Sequence, residues 1–249
     1  MYRWTLSGWS AAIRAALSAL EAVLQAGGGS LLPMGAVLFA TLAAWVAYVP
    51  LHELLHAFGC LASGGRVTEL QIQPLYGGGL LEKVFPFVRA GGEYAGRLSR
   101  FDTGGSDLTY LATDLAPFLL TVLGAFPLLE VARRRRSAIL FGAGVVLAAA
   151  PLMSLPGDLY EMGSILVTAG HGGLPQDGRP GGFLALRDDD LISLVGEFGD
   201  RFPTHRTLWA SAVGAASLVG WLIGNAILLS GRELERRLVR RCAADAQAT

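Results

Sequence analysis

Two histidines and a glutamate stand together in the stretch HELLH, residues 52–56. On an α-helix, His52 and His56 lie one turn apart on the same face, so both imidazoles can reach one ion. Glu53 projects beside them, where a carboxylate can act as a general base. The spacing is typical of zinc-dependent hydrolases and predicts one zinc ion per chain, with Glu53 as the catalytic residue. The alternative is a pair of histidines that only make hydrogen bonds within a helix.

A catalytic zinc usually has three protein ligands and one open position, so a third ligand is expected elsewhere. The stretch LMSLPGDLYEMGSIL, residues 152–166, offers Asp158 and Glu161 after a Pro-Gly break at the end of an apolar run. We predict Asp158 as the third ligand, with Glu161 as the alternative. His171 and His205 are weaker candidates, because loop histidines are more often solvated. Asp158 could instead cap the helix that follows it.

The composition is typical of a membrane protein. Of the 249 residues, 52% are hydrophobic and 16% are charged, whereas soluble domains have about 25% charged residues. The formal net charge is zero, which gives no overall basic character for binding nucleic acid. Two cysteines are too few for a disulfide framework or a cysteine-rich zinc module.

Apolar runs long enough to cross a bilayer define the predicted fold. A span needs about 20 apolar residues, and four segments qualify, namely 31–49, 112–132, 137–157 and 207–231. The first continues as helix through HELLH to about residue 62. We therefore predict an all-α polytopic membrane protein of four to five transmembrane helices, with a small β-hairpin or sheet after the first core helix.

The order of these spans brings the candidate ligands to one side of the membrane. The first span runs toward His52, the second returns the chain, and the third runs toward Asp158. Three successive spans therefore place His52, His56 and Asp158 at the same side for either insertion. This agreement is independent of the HELLH motif and supports a shared site.

The remaining segments divide the chain into further predicted regions. Residues 1–26 carry polar side chains every three or four positions, which indicates an interfacial amphipathic helix or an additional span. The loop at 171–206 should contain a short helix. A basic tail at 232–249 follows the last span, and with Arg133–Arg136 it is predicted to lie in the cytoplasm.

The loop after HELLH contains an alternating pattern in RVTELQIQPLYGGG. Apolar and polar residues alternate there with the period of a half-buried strand. If this strand has a free edge, it could pair with an extended substrate segment. The candidate substrate-binding residues are Glu69, Leu70, Gln71, Ile72 and Gln73.

Three motifs together resemble the site-2 protease family of intramembrane zinc metalloproteases. HELLHAFGCLASGGRVTELQIQPLYGG is similar to the family's first core span and the short sheet after it, and LATDLAPFLLTVLG is similar to the next span. LPGDLYEMGSIL resembles the third core span, whose motif supplies an aspartate ligand. Here Asp158 is followed by Leu159 where the family has glycine, and the family's asparagine has no counterpart.

The resemblance covers roughly residues 31–170, which is the predicted intramembrane metalloprotease core. It implies a multi-pass protein of a bacterial cell membrane that hydrolyses peptide bonds of membrane-embedded or membrane-associated proteins. Two alternatives stay open at this point. One is a membrane zinc hydrolase that acts on a lipid-linked, non-peptide substrate, and the other is a non-catalytic membrane module.

Overall fold

The computed structural model describes residues 7–28, 30–169, 186–187, 191–202 and 205–248. These residues are mostly helical, with one small sheet. The helices are α1 Gly8–Gln25, α2 Leu32–Ala62, α3 Gly78–Leu81, α4 Asp107–Leu115, α5 Phe118–Leu120, α6 Phe126–Arg135, α7 Ala138–Met153, α8 Asp158–Thr168, α9 Leu191–Gly196, α10 Phe198–Arg201 and α11 Arg206–Ala248. The strands are β1 Arg66–Ile72, β2 Val88–Ala90 and β3 Gly96–Asp102.

The chain forms two compact units. The first comprises residues 1–49, 118–151 and 225–249, and the second comprises residues 50–117 and 152–224. Both histidines of HELLH, both carboxylates of the 152–166 stretch and the whole sheet belong to the second unit. The candidate site can therefore be described within this one unit.

Three helical segments have the length and apolar composition to cross a membrane. They are Leu32–Ala62, Ala138–Thr168 and Arg206–Cys242. A fourth is possible if Asp107–Leu115 and Phe118–Arg135, which meet at 46°, are counted as one bent span. The predicted polytopic character is thus supported at the level of length and composition. Among the described helices, α1 does not meet these criteria.

The segment before HELLH and the motif itself form one continuous helix. Helix α2 runs from Leu32 to Ala62 and contains Pro50 in its interior. Leucine, alanine and other good helix formers make up most of the segment. Because the helix is unbroken, the spacing of His52 and His56 becomes a separation of one turn.

Helix α1 has the polar face that the sequence predicts, but its buried face is built from small residues. Ala11, Ala12 and Ala19 are buried, whereas Ile13 and Leu17 are exposed. The buried face packs in one cluster with residues of α6 and α7. Small side chains allow such close helix contacts. Residues 1–6, which the prediction included in this helix, lie outside the described residues.

The region after α2 forms a three-stranded sheet in the order β2-β1-β3. Strand β1 is parallel to β2 and antiparallel to β3. Leu70 and Ile72 are fully buried, as their alternation with polar residues predicts. A small sheet is confirmed, but β1 and β2 are parallel, so the two successive strands do not form a hairpin.

The predicted second span, 112–132, is interrupted at Pro117. Helix α4 ends at Leu115, and the chain continues through α5, a π-helical turn at Thr121–Ala125, and α6. Proline has no N–H and cannot donate to the carbonyl four residues earlier. A single straight helix over this segment is therefore not formed.

A second proline acts on its helix in the same way. Pro151 lies inside α7, so the carbonyl of Leu147 receives no bond from the residue four positions later. The hydroxyl of Thr121 donates to this carbonyl at 2.9 Å. The acceptor that proline leaves open is thereby satisfied from another helix.

Helices α8 and α11 make close backbone contact within the second unit. A Cβ on Gly163 would overlap the carbonyl oxygen of Ala216, and one on Gly220 would overlap that of Leu159. Glycine at both positions permits this approach. The contact holds the helix that begins with Asp158. In the 171–206 loop, where the sequence predicts one short helix, the described residues form two, α9 and α10.

Candidate metal centre

The two histidines of HELLH face each other on α2. Nε2 of His52 and Nε2 of His56 are 3.1 Å apart, and both residues are buried. The continuous helix places both rings on one face, as the sequence predicts. Two imidazole nitrogens at this separation converge on a common position.

Asp158 brings a carboxylate to the same position. Its Oδ2 lies 3.2 Å from Nε2 of His52, and its Oδ1 lies 3.6 Å from Nε2 of His56. One ligand atom from each of the three residues falls within 4.8 Å of the other two. Among the described residues, this is the one group of three or more His, Cys, Asp or Glu side chains with such spacing.

The turn before α8 positions Asp158. Residues 154–157 close through bonds from the amides of Gly157 and Leu159 to the carbonyl of Ser154. Gly157 is the N-cap residue of α8, and no side chain caps this end of the helix. Asp158 is therefore the first helical residue. Its side chain does not cap the helix, which was the alternative role that the sequence allowed for it.

The other proposed third ligands are placed differently. Glu161 is buried and accepts a hydrogen bond from the hydroxyl of Tyr110. It is not part of the three-residue group. His205 is exposed, and His171 lies outside the described residues. The geometry thus favours Asp158 over its rivals.

The donor set fits a zinc ion. Zinc in proteins is commonly bound by neutral imidazole nitrogen and carboxylate oxygen. Oδ2 of Asp158 is buried and accepts no hydrogen bond of good geometry, although it is close to His52. A buried carboxylate oxygen without such a bond is costly, and coordination to a cation at this position would remove that cost.

A carbonyl of α4 fixes the tautomer of His56. Nδ1 of His56 lies 2.9 Å from the carbonyl oxygen of Thr113. A carbonyl can only accept, so Nδ1 carries the proton, and Nε2 of the neutral ring keeps its lone pair. That lone pair is directed toward His52 and Asp158. The outer hydrogen bond of a metal-binding histidine commonly has this role.

Pro117 explains why the carbonyl of Thr113 is available. In a regular helix this carbonyl would accept from the amide of residue 117, but proline has no N–H. The preceding bond, from Ala116 to Ala112, is still formed. The helix break thus leaves one acceptor open at the level of His56.

Gly59 allows α4 to come close enough for this contact. It lies three residues after His56, on the same face of α2. A Cβ at Gly59 would lie 2.7 Å from the carbonyl oxygen of Ala112 and 2.6 Å from the Cβ of Ala116. Only glycine leaves room for the α4 backbone at this point.

Glu53 points toward the outer edge of the sheet. The amide of Leu98 in β3 donates to its carboxylate, and a Cβ on Gly96 would overlap the Glu53 side chain. The amide of Leu70, opposite Leu98, bonds to Phe87 on the β2 side. The Leu70–Leu98 pair is therefore not hydrogen-bonded, and the Leu98 amide faces away from β1.

The structure contradicts a free edge for the predicted substrate strand. Residues Leu70–Ile72 pair with β2 on one side and with β3 on the other. The amide of Gln73 bonds to the carbonyl of Ala95. Because β1 is the central strand, its main chain at 70–73 cannot accept another strand. The outer strands of the sheet are β2 and β3.

The side chain of Glu69 is also engaged within the sheet. It accepts hydrogen bonds from Gln71 at 2.6 Å and from Ser99 at 3.1 Å. These bonds hold the pKa of the Glu69 carboxyl below its ordinary value. Glu69 therefore belongs to a polar network on the surface of the sheet.

Four residues around the candidate metal centre were not identified from the sequence. They are Gly59, Gly96, Thr113 and Pro117. Each acts through a contact between segments that are distant along the chain, which a local pattern does not reveal. A usable signal exists only for Pro117, since a proline in the middle of an apolar run leaves one carbonyl without its helical donor.

Comparison of the chain with protein-family models, with curated proteins and with solved structures finds no match.

Proposed function

We propose that this protein is a zinc-dependent intramembrane endopeptidase that hydrolyses peptide bonds of membrane-embedded or membrane-associated proteins. The observation that carries the proposal is the convergence of His52, His56 and Asp158 beside Glu53. Helices that are long and apolar enough to cross a membrane support the membrane location. The sequence resemblance described above agrees with both features.

His52, His56 and Asp158 would hold the zinc ion. When bound, zinc lowers the pKa of a coordinated water to about 7 and polarises the carbonyl that the water attacks. Thr113 keeps the donor lone pair of His56 directed at the metal position. Glycine contacts at Gly59 and Gly163 keep α4 and α8 in place around it.

Glu53 is the general base in this proposal. Its carboxylate accepts the proton of the attacking water and delivers it to the amine that leaves when the C–N bond breaks. The Leu98 amide donates to the carboxylate and so orients it. Gly96 packs directly against the Glu53 side chain, because a Cβ at residue 96 would overlap it. The space beside Glu53 is therefore narrow.

The outer edge of β3 is the proposed binding position for substrate. A transmembrane helix hides its carbonyls in its own hydrogen bonds, so it must be extended before hydrolysis. An extended segment could add to β3 by strand pairing. This edge replaces residues 69–73 of the sequence prediction, and it has the advantage that it lies against Glu53.

The test is cleavage of a single-span membrane protein in proteoliposomes by the purified full chain. Wild type should release two peptide fragments, and Glu53→Gln should lower the rate by at least about 100-fold because the base is lost. Glu53→Gln should keep about one zinc per chain, measured by atomic emission. Glu69→Gln is the matched control and should retain activity.

Three outcomes would contradict the proposal. The base assignment fails if Glu53→Gln retains full turnover. Release of a product from lipid-linked substrates, with no protein cleaved, would assign the same site to a different bond. Wild-type protein without zinc would point to a non-catalytic membrane module.

A further inference from the structure

The first unit contains a second site with different chemistry. A partly open cavity of about 210 Å³ is lined by α1, α6 and the beginning of the charged part of α11. Arg14, Arg133 and Arg232 line it, one from each helix. We propose that this cavity binds the phosphate headgroup of an anionic phospholipid.

The cavity has an excess of positive charge. Arg133 makes two hydrogen bonds to Glu130, each 2.8 Å long, and Arg134 also bonds to Glu130. Glu235 is the second carboxylate of the lining. The lining itself therefore has three guanidinium groups and two carboxylates. Within the described residues, Arg14 and Arg232 make no ion pair, so an anion would complement them.

Guanidinium groups suit phosphate. The planar group offers paired N–H donors that match two phosphate oxygens, and it remains charged at any physiological pH. Arg14 and Arg232 approach the cavity from separate helices, so they can contact one phosphate from two sides. Ser18 of α1 adds a hydroxyl to the lining.

The apolar part of the lining favours a lipid over a free phosphate ion. Ala11, Ala15, Phe126 and Leu129 also face the cavity, and a hydrated ion would gain nothing from them. Ala15 leaves space along α1, which the glycerol and the upper acyl chain of a phospholipid can fill.

The position along the helices leads to the same conclusion. Arg133 follows the apolar stretch of α5 and α6, and Arg232 follows the apolar stretch of α11. In a membrane protein the change from apolar to basic residues marks the level of the headgroups. Basic pockets between helices at this level are suited to anionic lipids. The inference needs the membrane location but not the protease activity.

The experiment measures the thermal unfolding midpoint of the full chain in neutral detergent. Dioleoyl-phosphatidylglycerol should raise the midpoint by several degrees, and dioleoyl-phosphatidylcholine should not, since only the first carries a net negative charge. Arg14→Gln and Arg232→Gln should each remove most of the shift. Arg240→Gln removes an exposed arginine of the same helix outside the cavity and should keep the shift.

A further variant covers the possibility that loss of an arginine damages folding. Ala15→Leu fills the apolar part of the cavity without changing any charge and should also abolish the shift. Equal shifts with both lipids, or an undiminished shift in the Ala15→Leu and Arg232→Gln variants, would overturn the proposal. An equal shift with inorganic phosphate at the same concentration would overturn the lipid assignment. Zinc content and cleavage are measured separately, so failure here leaves the proposed function untouched.

Discussion

The imidazole of His56 makes a contact through each of its nitrogen atoms. Nδ1 donates to the carbonyl of Thr113, and Nε2 faces His52 and Asp158. The first contact settles which nitrogen is protonated, and the second depends on that result. A pattern of residue types identifies the histidine but not the tautomer, because the tautomer is set by a backbone group 57 positions away.

At the same scale, the third ligand is decided between two carboxylates one turn apart. We predict that Asp158→Ala reduces bound zinc to a small fraction of one ion per chain, because one of three ligands is lost. Glu161→Gln should keep zinc, since the amide oxygen of the introduced glutamine can still accept from Tyr110. The measurement is zinc content of the purified protein after dialysis. Loss of zinc with Glu161→Gln alone would move the ligand to position 161.

The element scale concerns how α2, α4 and α8 reach one another. Gly59 lies where the α4 backbone crosses α2, and Gly163 and Gly220 do the same for α8 and α11. Distances between backbones are thus set by residues without side chains. The candidate metal centre depends on these contacts as much as on its proposed ligands.

Gly59→Leu should abolish zinc binding and lower stability by about 2 kcal/mol or more, because the side chain would overlap Ala112 and Ala116. Gly35→Leu is the matched control on the same helix, where an added Cβ meets no atom within 4 Å. It should leave zinc binding and the unfolding midpoint nearly unchanged. Equal behaviour of the two variants would refute the role of the α2–α4 contact.

The break in the second span makes a separate prediction. Pro117→Ala restores an N–H that can bond to the carbonyl of Thr113. His56 must then share this acceptor with the new N–H or lose it. Zinc affinity should fall roughly 10–100-fold, as is usual when the outer partner of a ligand is disturbed. Competition with a chelator measures the change.

Pro151→Ala is the control for that experiment. It supplies an N–H to Leu147, whose carbonyl already accepts from Thr121, and both residues belong to the first unit. Zinc affinity should stay within about twofold of wild type. A large loss with Pro151→Ala, or none with Pro117→Ala, would contradict the local role of Pro117.

For the whole molecule, the sequence predicts which segments are apolar better than it predicts how they meet. HELLH and the alternation in β1 are local patterns, and both take the expected form. The parallel pairing of β1 with β2 places β1 at the centre of the sheet, and this depends on partner residues 18 positions further along the chain. The length of an apolar run also conceals the interruption at Pro117.

The two cysteines allow the insertion of the whole chain to be measured. Cys60 is buried and Cys242 is exposed. A maleimide that cannot cross membranes should therefore label Cys242 and leave Cys60 unmodified in the folded protein. If the basic tail is cytoplasmic as predicted, labelling should occur in inverted vesicles and not in right-side-out ones. The opposite pattern would reverse the predicted orientation.

Two of the carbonyls that prolines leave open have a consequence for helix register. The carbonyl of Thr113 is satisfied by His56, and that of Leu147 is satisfied by Thr121. Inside a bilayer no water would replace a missing donor, so sliding either helix pair by one turn would leave a carbonyl unbonded. Pro117 and Pro151 thereby each fix the height at which a neighbouring segment must present a donor. The Leu147 carbonyl fixes the register of α7 against the segment that carries Thr121. The Thr113 carbonyl fixes the register of α4 against α2, the helix that carries HELLH.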